Sequence, residues 1–227
     1  GATAAAAPAL AATQTSIHFS TAPVFSTFKY PITLKATMMP DTVPGKVEWR
    51  LYSPSAVSTL CTANNVSGSA TCSFDDLPLG SSELYVCFYP TDSANYLSSC
   101  SSNPAPEGDG SRYTYAVLPA PTATQLTSSL ATAAPGQNIT FTASVTGANG
   151  VWPNGSVTFY ETAAGVTTQT LCSAASTPNA QNPGVVTCSA SFASAGAHTV
   201  KAQFVHGDTH LGDSSRSITQ LVNAASA

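Results

Sequence analysis

Three side chains near the C-terminal end have types and spacing suited to metal chemistry: His206, Asp208 and His210. Alternate residues of an extended strand project to one side, so this set could face one divalent ion. Two acidic groupings are candidates for calcium: Asp75 and Asp76 with Asp92, and Glu107 with Asp109. Calcium wants six or more oxygens, and no D-x-D-x-D-G loop supplies them. Serine, histidine and aspartate all occur, so a nucleophilic triad can be drawn on paper. No G-x-S-x-G elbow presents the serine, and the histidines fall on strands or at turn tips. The six cysteines, Cys61, Cys72, Cys87, Cys100, Cys172 and Cys188, are the remaining reactive set. They show no C-x-x-C spacing and no adjacent histidine, so zinc is the weaker reading and disulfides the stronger.

The elements that carry these residues are strands, and they occur twice. In residues 136–160, GQNITFTASVTGANGVWPNGSVTFY, apolar Ile139, Phe141, Ala143 and Val145 alternate with Thr140, Thr142 and Ser144. Val157 and Phe159 follow with the same period. Period-two alternation of β-branched and aromatic residues marks strands with one buried and one wet face. Pro153, Asn154 and Gly155 supply the turn between them. Residues 30–52, YPITLKATMMPDTVPGKVEWRLY, repeat the pattern. Ile32, Leu34, Ala36 and Met38 take the places of Ile139, Phe141, Ala143 and Val145, and Val47 and Trp49 those of Val157 and Phe159. Pro44 and Gly45 match Asn154 and Gly155. The chain is an internal duplication, with Trp49 expected at the centre of the first core.

The order TAT-x-L-x-SS, GQ-x-(I/V)-TFTA-x-V, P-x-G-x-VTFY, G-x-H-T-V-x-A-x-(F/Y), GD resembles the bacterial Ig-like repeats of secreted and surface proteins. Residues 122–129, 136–145, 153–160, 196–204 and 207–208 carry it. In the first half it is looser, traceable through Pro44, Gly45, Gly80, Tyr89 and residues 92–96. The resemblance implies a β-sandwich fold, a structural or adhesive role, and no catalytic residues; the duplication then makes this an all-β chain of two tandem Ig-like β-sandwich domains. It puts Gly207 and Asp208 at a turn between strands, where the alternation of the His-x-Asp-x-His set fails. Asp208 is then expected to close the turn by accepting backbone N–H groups. The family commonly places a histidine where His198 stands, which implies a packing or hydrogen-bonding role.

The expected organisation is an N-terminal extension over residues 1–12, a first domain over 13–118, a linker at 119–121 and a second domain over 122–227. Pro119 and Pro121 flank Ala120 and make the linker a short, semi-rigid spacer. Within the domains, strands are expected at 13–19, up to Met38, at 46–52, 84–89 and 112–118. In the second half they are expected at 124–128, 138–145, 156–160, 169–172, 185–192, 198–204 and 216–222.

Aligning the halves on Gly80 and Gly196 sets Cys72 against Cys188, and Cys61 follows Tyr52 as Cys172 follows Tyr160. A duplicated pair is expected to be bonded as Cys61–Cys72 and Cys172–Cys188. The extra pair, Cys87–Cys100, would join the last strands of the first domain, with Cys87 in the inward place of Ala202. Each closure stabilises by about 3 kcal/mol in the chain-entropy picture. Three disulfides imply an oxidising compartment, hence a secreted or cell-surface protein.

Composition narrows the function. Among 227 residues only 8% are charged, and Lys and Arg together number 7 against 11 Asp and Glu. Soluble domains usually carry about a quarter charged residues. Seven scattered cations make no basic patch, so nucleic acid is not an expected partner. No stretch reaches the roughly 18 apolar residues of a membrane span. Residues 1–9 are Ala-rich without the basic start and apolar core of a signal peptide, and Gly1 reads as an end left by processing or trimming. The sequons at Asn65, Asn138 and Asn154 read as accidents of Asn and Thr richness, while glycans remain candidate partners.

The expectation is a structural, non-enzymatic protein without cofactor or metal: a self-assembling filament subunit. Its partners would be further copies, joined through terminal segments, residues 4–19 and 217–227, added to open sheet edges. The alternative is an adhesin or carbohydrate-binding module. Candidate interface residues are Trp152, Tyr113, Tyr115, Ile17 and Phe19. Trp152 stands just before the Pro-Asn-Gly turn, where it could stack on a sugar or cover the sandwich end.

Overall fold

The computed structural model describes residues 10–53, 56–110, 112–176 and 183–224. The chain divides into two compact units, Gly1–Ser26 with Tyr30–Val117, and Thr27–Lys29 with Leu118–Ala227. The described residues form strands and a single 3-10 turn at Ala148–Gly150, with no α-helix among them.

In the first unit the strands are β1 Thr13–Gln14, β2 Ser16–Thr21, β3 Phe25–Thr27, β4 Ile32–Met39, β5 Gly45–Tyr52 and β6 Val57–Val66. They continue as β7 Ser69–Phe74, β8 Gly80–Pro90, β9 Tyr96–Leu97, β10 Ser99–Cys100 and β11 Tyr113–Leu118. One sheet runs β2-β4-β7 and the other β3-β11-β8-β5-β6, with β10 added to β8 and a parallel pair β1-β9 beside them. In the second unit the strands are β12 Thr122–Ser128, β13 Thr132–Ala133, β14 Ile139–Gly147, β15 Gly155–Ala163 and β16 Val166–Ser176. Then come β17 Gly184–Ala190, β18 Gly196–His206 and β19 Ser214–Val222. Its sheets run β12-β14-β17 and β13-β19-β18-β15-β16. The strand order is therefore the same in both units, position for position, as a duplication requires.

Alternation builds each core. Ile32, Leu34, Ala36 and Met38 of β4 are buried while the residues between them are exposed, and Ile139, Phe141, Ala143 and Val145 are the buried set of β14. From the facing sheets Val47 and Trp49, or Val157 and Phe159, close the interior. Gly45 and Gly155 start equivalent strands under the same constraint. A Cβ on Gly45 would lie 2.5 Å from the Phe88 ring and the Tyr89 carbonyl oxygen, and one on Gly155 2.2 Å from the Val205 carbonyl oxygen. Neither position has room for a side chain.

A β-bulge is also reproduced. Leu60 stands unpaired between Thr59 and Cys61 opposite Arg50 and Trp49, and Leu171 between Thr170 and Cys172 opposite Tyr160 and Phe159. The bulges precede two cysteines that join sheets. Cys61 of β6 bonds Cys72 of β7, and Cys172 of β16 bonds Cys188 of β17. Cys87 and Cys100 are bonded within one sheet, directly opposed on β8 and β10.

The register corrects one expectation. Val47 faces Phe88 and Trp49 faces Val86, whereas Val157 faces Phe204 and Phe159 faces Ala202. Ala202 therefore corresponds to Val86, and Cys87 to Gln203 on the opposite face. A one-residue slip turns every side chain over. Two strands are longer than alternation suggests. β6 and β16 are edge strands whose outer faces are mostly exposed, so little apolar period marks them.

The expected donor segments also need correction. Residues 16–19 lie in β2, paired with β4, and residues 217–222 lie in β19, paired with β18. Both are already strands of their own sandwich, because Ile17 and Val222 are needed in the core. Residues 4–9 and 225–227 of those segments lie outside the described residues.

Candidate functional site

The His-x-Asp-x-His residues sit where β18 turns into β19. The Asp208 carboxylate accepts the backbone N–H of His210 at 2.9 Å and contacts the same residue's ring Nδ1. Asp213, which lies outside that motif, accepts the backbone N–H of His206 at 2.9 Å and meets its Nδ1 at 2.7 Å. Each imidazole is thus engaged by a different carboxylate. The backbone N–H of His210 holds the Asp208 carboxyl below the ordinary carboxylate range, and that of His206 does the same for Asp213. Among the described residues, no three His, Cys, Asp or Glu groups converge where a metal could be held. This arrangement closes a turn, with the Gly207 N–H donated to the Asn154 carbonyl oxygen at 2.8 Å.

Asp92 likewise serves its own turn, accepting from the backbone N–H groups of Ala94 and Asn95, both at 3.2 Å, and from the Asn95 side chain at 2.8 Å. Glu107 accepts from the Asn103 side chain. These carboxylates close loops locally.

His198, near the start of β18, is more enclosed. Its ring stacks on Phe192 at 4.2 Å between centroids. Nδ1 lies 2.7 Å from a Glu161 carboxylate oxygen, and Nε2 lies 2.9 Å from the Ser194 carbonyl oxygen. Two acceptors on the two ring nitrogens suit an imidazolium, which donates from both. Burial opposes the charge, but Glu161's hydrogen bond and charge and the Ser194 carbonyl together carry the pKa above its ordinary value. The sequence offers only His198 itself, since Glu161 comes from β15.

The outer face of β5 and β8 gathers three of the seven cations. Lys46 Nζ is 2.6 Å from Glu48, and Arg50 Nε donates to the same carboxylate at 3.0 Å. Both cations lie over the Tyr89 ring, and the Arg112 guanidinium lies 3.3 Å from the Tyr52 ring centroid while bonding Glu83 at 3.0 Å. The Lys46 hydrogen bond leads the effects that hold Glu48 below its ordinary pKa. Cations and ring faces here already serve one another, which makes this a clad sheet face. On the equivalent face of the second unit, the Thr158 and Ser173 hydroxyls hydrogen-bond at 3.1 Å.

The five aromatic and apolar interface candidates separate sharply. Ile17 and Tyr115 are fully buried and present nothing to a partner. Tyr113 donates its hydroxyl to the Ala22 carbonyl oxygen at 2.6 Å, and its ring packs on Phe19 at 5.4 Å. These four are packing residues, held by β2 and β11 against their own unit. Trp152 stays 58% exposed.

Sheet edges are the other surface feature. β3 and β13 are short edges, whereas β6 and β16 are long ones. Neither 57–66, VSTLCTANNV, nor 166–176, VTTQTLCSAAS, contains a charge or a proline. Natural edges are usually guarded by such residues.

A family model described as bacterial Ig-like domain (group 3) matches residues 126–223. The second unit is a bacterial Ig-like domain. The strands of this Ig-like domain from β13 to β19 all fall inside the match, and the first unit shares their order. Two solved structures are similar at low identity. One is dimeric latent PorU from Porphyromonas gingivalis, at 13% identity over 95% of this chain and 24% of that one, TM-score 0.33. The other is the adhesin InvE from Yersinia pseudotuberculosis, at 15% identity over 92% of this chain and 58% of that one, TM-score 0.34. The chain thus spans less than two thirds of either. Comparison with curated proteins finds no match.

Proposed function

We propose that the chain is an extracellular structural protein that assembles with copies of itself into a surface filament. The observation that carries this reading is the pair of long, uncharged, proline-free edge strands, β6 and β16, in a chain that is only 8% charged. Low charge removes the repulsion that keeps proteins apart, and an open edge offers backbone groups to a further strand. Three disulfides support an oxidising, extracellular setting. A head-to-tail contact that does not close yields an open fibre. With residues 16–19 and 217–222 engaged inside their own units, the donor is assigned to residues 1–12. Deleting residues 1–12 is expected to abolish polymers in negative-stain images while circular dichroism still reports folded β structure. Fibres that survive the deletion unchanged reject the reading.

A second reading, an adhesin or sugar-binding module, is favoured by Trp152 alone, whose exposed indole could stack on a sugar ring. It expects discrete monomers that bind glycans on an array and lose that binding on Trp152→Ala.

A further inference from the structure

We infer that the acceptor edge for residues 1–12 of a neighbouring copy is β16, the outer strand of the second unit's larger sheet. This rests on the self-assembly reading and specifies its contact. Length, side-chain type and exposure select this edge and this occupant. β16 is the longest edge strand described, 11 residues, and residues 1–12 form a segment of matching length. Its side chains Val166, Thr167, Thr168 and Thr170 are exposed and β-branched, the types that favour pairing. β6 is the poorer edge, with Asn64 and Asn65 near its end, the latter with left-handed φ of 55°.

The donor and the acceptor also share the most exposed apolar side chains. Leu10, at 96%, and Val166, at 68%, exceed every other large hydrophobic among the described residues. Residues 1–12, GATAAAAPALAA, carry no charged side chain, so none is buried unpaired in the contact. Leu10 lies outside any strand, and among the described residues the first paired one is Thr13, against Tyr96. Pro8 fits an added strand because that strand becomes the new edge, where one side needs no donors.

Thr170 and Thr59 occupy equivalent places beside the bulges, opposite Tyr160 and Arg50, and both are exposed. They give a matched test on the full-length protein. Thr170→Lys is expected to remove polymers from negative-stain images and sedimentation profiles, with the thermal transition unchanged. Thr59→Lys is expected to leave them. In the double variants, Leu10→Cys with Thr170→Cys is expected to give a ladder of covalent oligomers on a non-reducing gel. Leu10→Cys with Thr59→Cys is expected to give none. Polymers as abundant in Thr170→Lys as in the parent overturn the inference and leave self-assembly standing. A ladder only with Thr59→Cys also overturns it, by moving the acceptor to β6. A parent protein without polymers overturns the self-assembly reading itself, and the inference falls with it.

Discussion

Between β8 and β11 the first unit travels through residues 91–112, whereas the second unit spans the equivalent gap, from β18 to β19, with residues 207–213. Strand order and core alternation are the same on either side of both connections. In the first unit the excursion is stitched inward. Cys100 is bonded to Cys87, Ser101 donates its N–H to the Val86 carbonyl oxygen at 2.8 Å, and its hydroxyl accepts from the Val86 N–H at 3.1 Å. It also grips the first strands. The Thr15 hydroxyl reaches the Leu97 carbonyl oxygen at 2.6 Å and the Ser99 hydroxyl at 2.9 Å, and the Ile17 N–H is donated to the Glu107 carbonyl oxygen at 3.1 Å. In the second unit the short turn is held by two aspartates that are half exposed. A duplicated scaffold has kept its core and varied a connection, and the longer connection carries the buried links.

The comparison predicts unequal losses. The largest concerns Cys87→Ser with Cys100→Ser, which should cost the first unit about 3 kcal/mol and leave the second unchanged. The chain has one tryptophan per unit, Trp49 buried and Trp152 exposed, so denaturation followed by fluorescence in a Trp152→Phe background isolates the first. Equal destabilisation of both units would erase the distinction. Thr15→Val comes next, at about 1–3 kcal/mol, because it leaves buried Ser99 and the Leu97 carbonyl short of a partner. The same unfolding curves measure it.

Within the second unit the sensitive group lies away from the turn. Glu161→Gln should remove about 1 kcal/mol at low pH by weakening the bond to His198. The sign follows from the raised folded pKa of His198. Its contribution is fully present below the unfolded value, near 6.5, and fades as pH rises through the folded one. Stability against pH should therefore slope downward across that window in the parent and flatten in the variant. The smallest effect belongs to Asp208→Ala, about 0.5 kcal/mol, since its bonds are exposed to solvent. A loss there as large as that from the Cys87–Cys100 pair would mean the short turn is no looser than the long excursion.

The core is legible in the sequence because burial on one face imposes an alternation that needs no partner to be seen, as in Ile139, Phe141, Ala143 and Val145. The edge strands are only partly so: the expected strand at 169–172 covers the middle of β16, Val166–Ser176, and none is expected in β6, Val57–Val66. β6 and β16 meet the core little, and their Ser and Thr pattern looks like loop. Reading Cys87 against Ala202 is a slip of one residue: the offset between Gly80 and Gly196 already sets Cys87 against Gln203, as the pairing partners do, and one residue turns the side chain to the other face. The His198–Glu161 pair is invisible because it joins β18 to β15, and Asp213 because it stands outside the His-x-Asp-x-His spacing. Ile17 and Tyr115 read as surface candidates only because a β-strand's inward side cannot be chosen from one strand alone.

The central claim is that this duplicated, sparsely charged sandwich is building material. Negative-stain imaging of the purified full-length chain tests it most directly. Long open polymers of uniform width are the expected result, and a field of separate particles at every concentration tried would contradict it.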